Sequence, residues 1–257
     1  MDRVRAWHPD VPAVREVFHA TFDSHAYPAH THDTWTVLLI DEGAVSYALE
    51  RSGHIAAPRS LTLLPPHVPH DGRSAVDGAS FRKRVLYLDE DWLPSRSVSA
   101  AVSRPLVQDA RAVAAVRAIH GALESPGDTL AAEGSILSLA ELVLQHWGTA
   151  TAGRTDAPLA RRLRAMLDDR LTESFTLSEA ARLLGAHPSH LVRSFSRAYG
   201  ISPHRYVTGR RIDLARRLLL VGHPPARVAA EAGFHDQAHL TRHFRRVLGT
   251  TPGAFAA

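Results

Sequence analysis

Apolar positions change their period along the chain, and each change marks a new kind of element. Up to about residue 95, short β-type runs dominate. Thr34–Ile40, Ala44–Leu49, Ser60–Leu64 and Phe81–Leu88 read as strands, separated by turn signals at Glu42-Gly43, Ser52-Gly53 and Asp71-Gly72. Several short strands at such spacing predict a sandwich or barrel. From Leu106 to Trp147 the period becomes helical. Val113, Val116, His120 and Leu123, then Ile136, Leu139, Val143 and Trp147, recur at helix spacings on either side of Ser125-Pro-Gly127. That predicts a helical hairpin whose apolar faces need cover, from the barrel or from a second subunit. Thr149–Pro158 is small, polar and aperiodic, as a linker is. Beyond it the pattern is helical throughout. Leu159, Leu163, Met166 and Leu167 mark one helix, and Thr176-Leu-Ser-Glu179 is a capping box opening the next. Ser202-Pro203 and Thr251-Pro252 each set a cap residue before a proline at the first helical position.

The helical half repeats itself at a constant offset of 49: His190/His239, Leu191/Leu240, Arg193/Arg242, Phe195/Phe244, Arg197/Arg246, Gly200/Gly249, Pro203/Pro252 and Tyr206/Phe255. Upstream of each copy lies a short Ala-rich helix, Ser178–Leu184 or Ala226–Ala232, ending near Gly185 or Gly233. Two short helices around a glycine turn, the second apolar on one side and Arg/His/Ser/Gln-rich on the other, describe a helix-turn-helix. A solenoid would need about three copies; here two are joined by one longer helix, Pro203–Val221. In Pro188–Tyr199 the inward stripe reads as Leu191, Phe195 and Ala198. In Asp236–Leu248 it reads as Leu240, Phe244 and Val247. Base edges are met by the N-terminal part of a recognition helix, Arg suiting guanine and Gln adenine. The candidate DNA contacts are therefore Ser189, His190, Val192, Arg193 and Arg197 in the first reader. In the second they are Gln237, Ala238, Thr241, Arg242 and Arg246. Phosphate is the alternative partner of each arginine. His235 and His239 read as surface or phosphate-facing groups.

Composition adds an asymmetry. The chain of 257 residues is 45% hydrophobic and 22% charged, an ordinary soluble composition with length for two domains. The net charge of +4 divides into −5 over residues 1–157 and +9 over residues 158–257, which points to a polyanionic partner for the second half only. The absence of cysteine excludes disulfides, thiolate metal sites and a cysteine nucleophile. The opening residues lack the apolar run of a secretory signal. The longest aliphatic runs, Val37–Ile40 and Leu218–Val221, fall far short of the ~20 residues of a membrane span, so a cytoplasmic protein is expected.

Phe175–Ala257 resembles the DNA-binding domain of the AraC/XylS family of bacterial transcription regulators. The resemblance rests on Ala229-Ala-Glu-Ala-Gly-Phe-His-Asp-Gln-Ala-His-Leu-Thr-Arg-His-Phe-Arg-Arg246 and on Gly249-Thr-Thr-Pro252. Two features depart from the family pattern. Ala238 stands where some members carry a polar base-contacting side chain, and His187-Pro188 is an unusual opening to the first recognition helix. In the acidic half, His30-Thr-His32 before one strand and Leu63-Leu-Pro-Pro-His-Val-Pro-His70 after another look like the cupin-type sensor barrel found in many such regulators. The resemblance implies a multidomain chain: an all-β cupin-like barrel over residues 1–100, a helical hairpin over 101–150 that pairs two subunits, and an all-α domain with two helix-turn-helix motifs over 158–257. It implies a regulator that binds double-stranded DNA and a small-molecule effector, as a homodimer, with RNA polymerase as a further candidate partner, and with no cofactor and no membrane.

The effector candidates are His30, His32, Trp35, His70 and Tyr87, with His25 and His67 as further members of a histidine cluster. On Phe81–Leu88, Arg82 and Arg84 share one face while Phe81, Lys83, Val85 and Tyr87 share the other; the pattern does not choose which looks inward. Converging imidazoles are also a transition-metal set. The stretch after His30-Thr-His32 lacks the Glu or Gln that metal-binding cupins carry there, and no metal ligand is assigned. Two rival functions stand beside the regulator: a metal-dependent cupin enzyme fused to a DNA-binding domain, and a constitutive DNA-binding dimer without effector. No nucleophile motif, phosphate loop or paired carboxylates support the enzyme.

Overall fold

A computed structural model describes every residue except 1, 24, 25, 51, 126, 149–155, 249 and 257. His25, most of the linker and Gly249 of the repeat lie outside the described residues. The chain divides into two compact units, residues 1–120 with 138–151, and residues 121–137 with 152–257.

The first unit is built on β1 (Arg3–Trp7), β2 (Val14–Phe22), β3 (Ala26–His30), β4 (Trp35–Glu42), β5 (Val45–Leu49), β6 (Ser52–Ala56), β7 (Leu61–Leu64), β8 (His70–Ser74) and β9 (Phe81–Leu88). After these come α1 (Ser97–Ser103), β10 (Leu106–Val107), α2 (Ala110–Leu123) and α3 (Thr129–His146), of which the end of α2 beyond His120 and the start of α3 up to Leu137 belong to the second unit. The strands form two antiparallel sheets, in the orders β1-β2-β9-β4-β7-β10 and β3-β8-β5-β6. The four strands read from the pattern are β4, β5, β7 and β9. Two turn readings are corrected. Ser52-Gly53 opens β6, and the chain reverses near Glu50, whose φ is +53°. Asp71-Gly72 lies inside β8, where Asp71 Oδ1 accepts the Ala48 N–H at 2.6 Å. Polar residues there serve the neighbouring strand rather than a bend.

β4 is buried along both faces, and each face has its own core. Between the sheets, Phe22, Leu38, Ile40, Val45, Leu49, Phe81 and Val85 pack together. On the other side, Trp35 packs against Trp92 and Trp147 at ring distances of 6.2 and 6.3 Å, its Nε1–H donating to the Glu90 carbonyl at 3.1 Å. Leu139 and Val143, the stripe offered for pairing two subunits, are 0% exposed within the single chain. They cover their own unit, so a second subunit would have to use another surface.

In the second unit, α4 (Ala157–Asp169), α5 (Leu177–Leu184), α6 (Pro188–Tyr199), α7 (Pro203–Leu220), α8 (Pro225–Glu231), α9 (Gln237–Leu248) and α10 (Pro252–Ala256) follow in order. Local chemistry starts them, with a side-chain cap at every helix but α8, which opens on Pro225 instead. Asp156 accepts the Leu159 amide, Thr176 and Glu179 complete the capping box, and Ser202 accepts the Arg205 amide. Thr251 Oγ1 accepts the Ala254 amide at 3.1 Å. Two cores result, one for each copy of the repeat. Leu163, Leu167, Phe175, Leu191, Phe195 and Val207 form the first, and Ile212, Leu219, Val228, Phe234, Leu240 and Phe244 the second. α7 supplies both, Val207 to one and Ile212, Ala215 and Leu219 to the other. At the turn between α8 and α9, Gly233 has φ +77°, and a Cβ on it would stand 2.7 Å from Thr172 Cα. Only glycine fits there.

Candidate functional site

The first reader helix, α6, starts without an ordinary cap residue. His187 Nδ1 takes that role, accepting the Ser189 amide at 3.3 Å and its hydroxyl proton at 2.8 Å. The odd His187-Pro188 opening is thus a working N-cap. Leu191, Val192, Ser194 and Phe195 are the buried residues. Val192 must therefore be removed from the candidate DNA contacts: at 6% exposure it belongs to the helix's inner face, while Ala198, read as inward, is exposed. The stripe is one residue wider and ends a turn earlier than the i, i+4 reading set it. Ser189, His190 and Arg193 are half-buried and Arg197 is exposed. His190 lies 3.6 Å from Asp156, a local partner.

The second reader helix, α9, is capped by Asp236, whose Oδ1 accepts the His239 amide at 2.7 Å. Gln237, Ala238, Thr241, Arg242 and Arg245 line one concave patch, and Arg246 is exposed beyond it. Val247, read as inward, is 52% exposed. His239 is not a surface group. It is buried with His243, four residues on, and both send Nε2 to Asp128 Oδ1, at 2.9 and 3.0 Å. Arg242 Nη2 donates to Asp128 Oδ2 at 2.7 Å. Burial alone raises a carboxyl, but hydrogen bonds from His239 and His243 outweigh it and hold Asp128 far below the usual carboxylate range.

Asp128, His239 and His243 are close enough to hold a metal ion. The tautomer argues otherwise: His239 Nδ1 accepts the His235 amide at 3.2 Å, so its Nε2 carries the proton and donates to Asp128. A metal would need that lone pair. A second buried carboxylate, Glu133, tends the first reader. Its Oε2 accepts the Leu177 amide at 2.7 Å, and its Oε1 accepts the Ser178 amide and hydroxyl at 2.9 and 2.7 Å. An anion thus sits at the N-terminus of α5, where the helix dipole favours it.

In the first unit, β9 settles its own ambiguity. Arg82 and Arg84 pair with Asp41 and Glu42, whereas Phe81 and Val85 enter the core between the sheets, and Lys83 and Val85 line a cavity there. The same cavity is lined by His30, His32, His70, Tyr27 and Tyr47. The three histidine rings lie 4.5 to 5.2 Å apart, and Tyr87 lies 5.0 Å from His32. Trp35 is absent from it, held on the opposite face of β4; that effector candidate is corrected. His67 stands apart, exposed and 3.4 Å from Glu90.

Lys83 was not singled out by the sequence, and it is the most unusual group in the cavity. Burial lowers its ammonium to about 8, and its nearest described aromatic neighbour is Tyr27, whose ring centre is 4.0 Å away. Among the described residues no carboxylate pairs with it. Burial, then His70 and His30, lowers His32 to about 4, and burial lowers His70 as well, so these two rings are neutral at neutral pH. His30 and His70 donate Nδ1–H to the Pro28 and Val68 carbonyls at 2.7 and 3.1 Å, which leaves both Nε2 lone pairs free. With His32 they bring three ligand atoms within 4.8 Å of one another, a donor set that fits a divalent transition metal. The cavity itself is small, about 60 Å³. That is room for roughly two waters, so a larger guest must push its walls apart. His32 also lines an outer concavity with Arg15, Glu16, Asp33, Tyr87 and Glu90, so of the two effector candidates His32 borders both spaces and Tyr87 the outer one only.

Comparison with known proteins agrees with both halves of this geometry. An AraC-like ligand binding domain family matches residues 12–140, and a helix-turn-helix domain family matches residues 180–257. The HTH-type transcriptional regulator YbfI of Bacillus subtilis (strain 168) is 27% identical over 224 residues, 83% of this chain and 81% of that one. The HTH-type transcriptional activator RhaS of Salmonella arizonae is 24% identical over 241 residues, 88% of this chain and 86% of its own. Among solved structures, the AraC-like transcriptional activator CuxR aligns with a TM-score of 0.44 at 16% identity, covering 83% of this chain and 80% of that one. Among the described residues no helix is long and apolar enough to cross a membrane. The chain belongs to the AraC family of transcription regulators, with an AraC-like ligand-binding half followed by a helix-turn-helix DNA-binding half.

Proposed function

We propose that the protein is a cytoplasmic, non-enzymatic regulator in which α6 and α9 read double-stranded DNA and the cavity between the two sheets takes a small anionic effector. On DNA, Ser189, His190, Arg193 and Arg197 act from α6, and Gln237, Ala238, Thr241, Arg242 and Arg246 from α9. Two copies of the chain bind together through a surface other than the Leu139–Val143 stripe, with RNA polymerase as the further partner. One observation carries the effector reading: Lys83, a cation inside a mostly apolar cavity, meets aromatic faces and has no ion pair among the described residues, while Asp71, the one carboxylate lining the same cavity among those residues, accepts the Ala48 N–H. Ligand pockets of this kind are mostly apolar with a few convergent polar groups. A carboxylate or phosphate would complete the ion pair at Lys83, while the Nε2 lone pairs of His30 and His70 would accept hydrogen bonds from hydroxyl groups on the same effector.

The reading is tested by a thermal-shift screen of small carboxylates, phosphates and neutral sugars against the full chain, since a ligand of the folded form alone raises the melting temperature. Hits among the anions are expected. Hits confined to neutral compounds would contradict the assignment to Lys83. A second reading is favoured by the free Nε2 atoms of His30 and His70: with His32 they would hold a divalent metal, which supplies a Lewis-acidic centre for an anion. Stoichiometric metal in purified protein, lost on replacing His70 by alanine, would favour it.

For DNA, Arg242→Ala and Arg193→Ala should each weaken binding to the best site by about 1–3 kcal/mol and relax preference at one or two base pairs. Uniform weakening on all sequences would assign that arginine to phosphate.

A further inference from the structure

Asp128 stands in the stretch matched by the ligand-binding family, yet residues 121–137 pack with the DNA-binding helices. Among the described residues, every donor that reaches its carboxylate comes from α9. Two of them, His239 and His243, lie on the buried side of that helix; the third, Arg242, lines its outer patch. The turn before Asp128 is fitted to the same helix. Gly127 has φ +86°, and a Cβ there would stand 2.5 Å from His235 Cβ and 2.6 Å from His239 Nδ1. No other residue allows that approach. Arg242 remains 43% exposed, and Asp128 is its one partner among the described residues. Its other guanidinium N–H groups are therefore available to DNA.

We propose that Asp128 is a positioning residue of the second DNA reader: it seats α9 through His239 and His243 and pins Arg242 through one nitrogen, so that base selection by Arg242 depends on a residue outside the helix-turn-helix domain. The physical reason is preorganisation. A guanidinium held by one nitrogen has less rotamer freedom to lose when the rest of its fork meets a guanine edge. An unpinned arginine reaches phosphates as readily as bases, and phosphate contacts carry no sequence information. A buried carboxylate suits the task, because three donors fix its own position first.

This rests on α9 reading DNA, and the experiment separates the two. Duplexes enriched from a random-sequence pool by the full wild-type chain are changed one base pair at a time. Their affinities are then measured for wild type, Asp128→Asn, Arg242→Ala and the double variant. Arg242→Ala should flatten discrimination at one or two base pairs. Asp128→Asn should reduce discrimination at those same pairs by about tenfold, the scale of a bidentate base contact. It should leave the other positions within about twofold and add nothing in the Arg242→Ala background. Equal loss at every position, or loss that persists in that background, would make Asp128 structural only. Tighter binding at those base pairs would make it a brake on Arg242 and overturn the positioning role. If Arg242→Ala flattens nothing, the reading of α9 fails and the buttress with it. Should Asp128→Asn not fold, side-chain 15N spectra of the wild type decide. Slowed rotation of the Arg242 guanidinium, assigned by its loss in Arg242→Ala, is expected, and free rotation overturns the proposal.

Discussion

Replacing Lys83 with methionine should make the protein more stable and deaf to its effector at once. The folded structure holds the Lys83 ammonium at about 8, against ~10.4 in an unfolded chain. Between those values the unfolded chain binds more protons, so stability rises with pH across that window, and below it the full penalty of a buried cation applies. Methionine keeps the length and removes the charge. After a discount for partial access to solvent, the gain should be about 1–2 kcal/mol at pH 7, or several degrees in melting temperature. The same change removes the cation that an anionic effector needs, so the ligand-induced thermal shift should vanish. For the wild type, affinity should be steady below pH 8 and fall above it, because binding an anion then requires Lys83 to take up a proton first. Calorimetric titrations from pH 6.5 to 9.5 check the sign. A Lys83→Met protein that is less stable, or that still responds, would mean that the lysine is a packing element.

Glu133→Ala should be the most destabilising polar substitution in the second unit. Glu133 is 3% exposed and accepts three hydrogen bonds at the start of α5. Its removal leaves two amides at a buried helix start without an acceptor, at about 1–3 kcal/mol each. The loss falls on the first helix-turn-helix, since the freed amides belong to Leu177 and Ser178. Urea unfolding should show the drop, and hydrogen exchange should place it in α5 before α9. Glu133→Gln, which keeps an acceptor oxygen, should recover part of it. Exchange that speeds up in α9 equally would mean that the two readers unfold as one.

The two helix-turn-helix copies were legible because their signals are local. Caps, glycine turns and an i, i+4 stripe act within a few residues, and Thr176, Ser202 and Thr251 cap the helices that they were expected to cap. Errors arose where helix phase mattered. Leu191 and Phe195 set the stripe correctly, but its width depends on how α4 and α5 pack, so Val192 was placed outside. Asp128 and Glu133 were invisible for a different reason: their partners lie 111 and 44 residues away. One signal was present in His239 and His243, two histidines four apart on a face that had to be buried, which need a polar partner from elsewhere. In the first unit, alternation showed that Lys83 and Tyr87 share a face but not which face is inside. Trp35 was misplaced because β4 is buried on both sides, and periodicity then says nothing about which core a side chain joins.

The most direct test of two DNA readers on one chain is hydroxyl-radical footprinting of the full-length protein on a duplex enriched by it. α6 and α9 acting together should protect two segments about one helical turn apart, ~34 Å along the duplex, for each bound chain. Arg193→Ala and Arg242→Ala should each weaken one segment and spare the other. A single protected segment per chain, lost equally in both variants, would contradict the account.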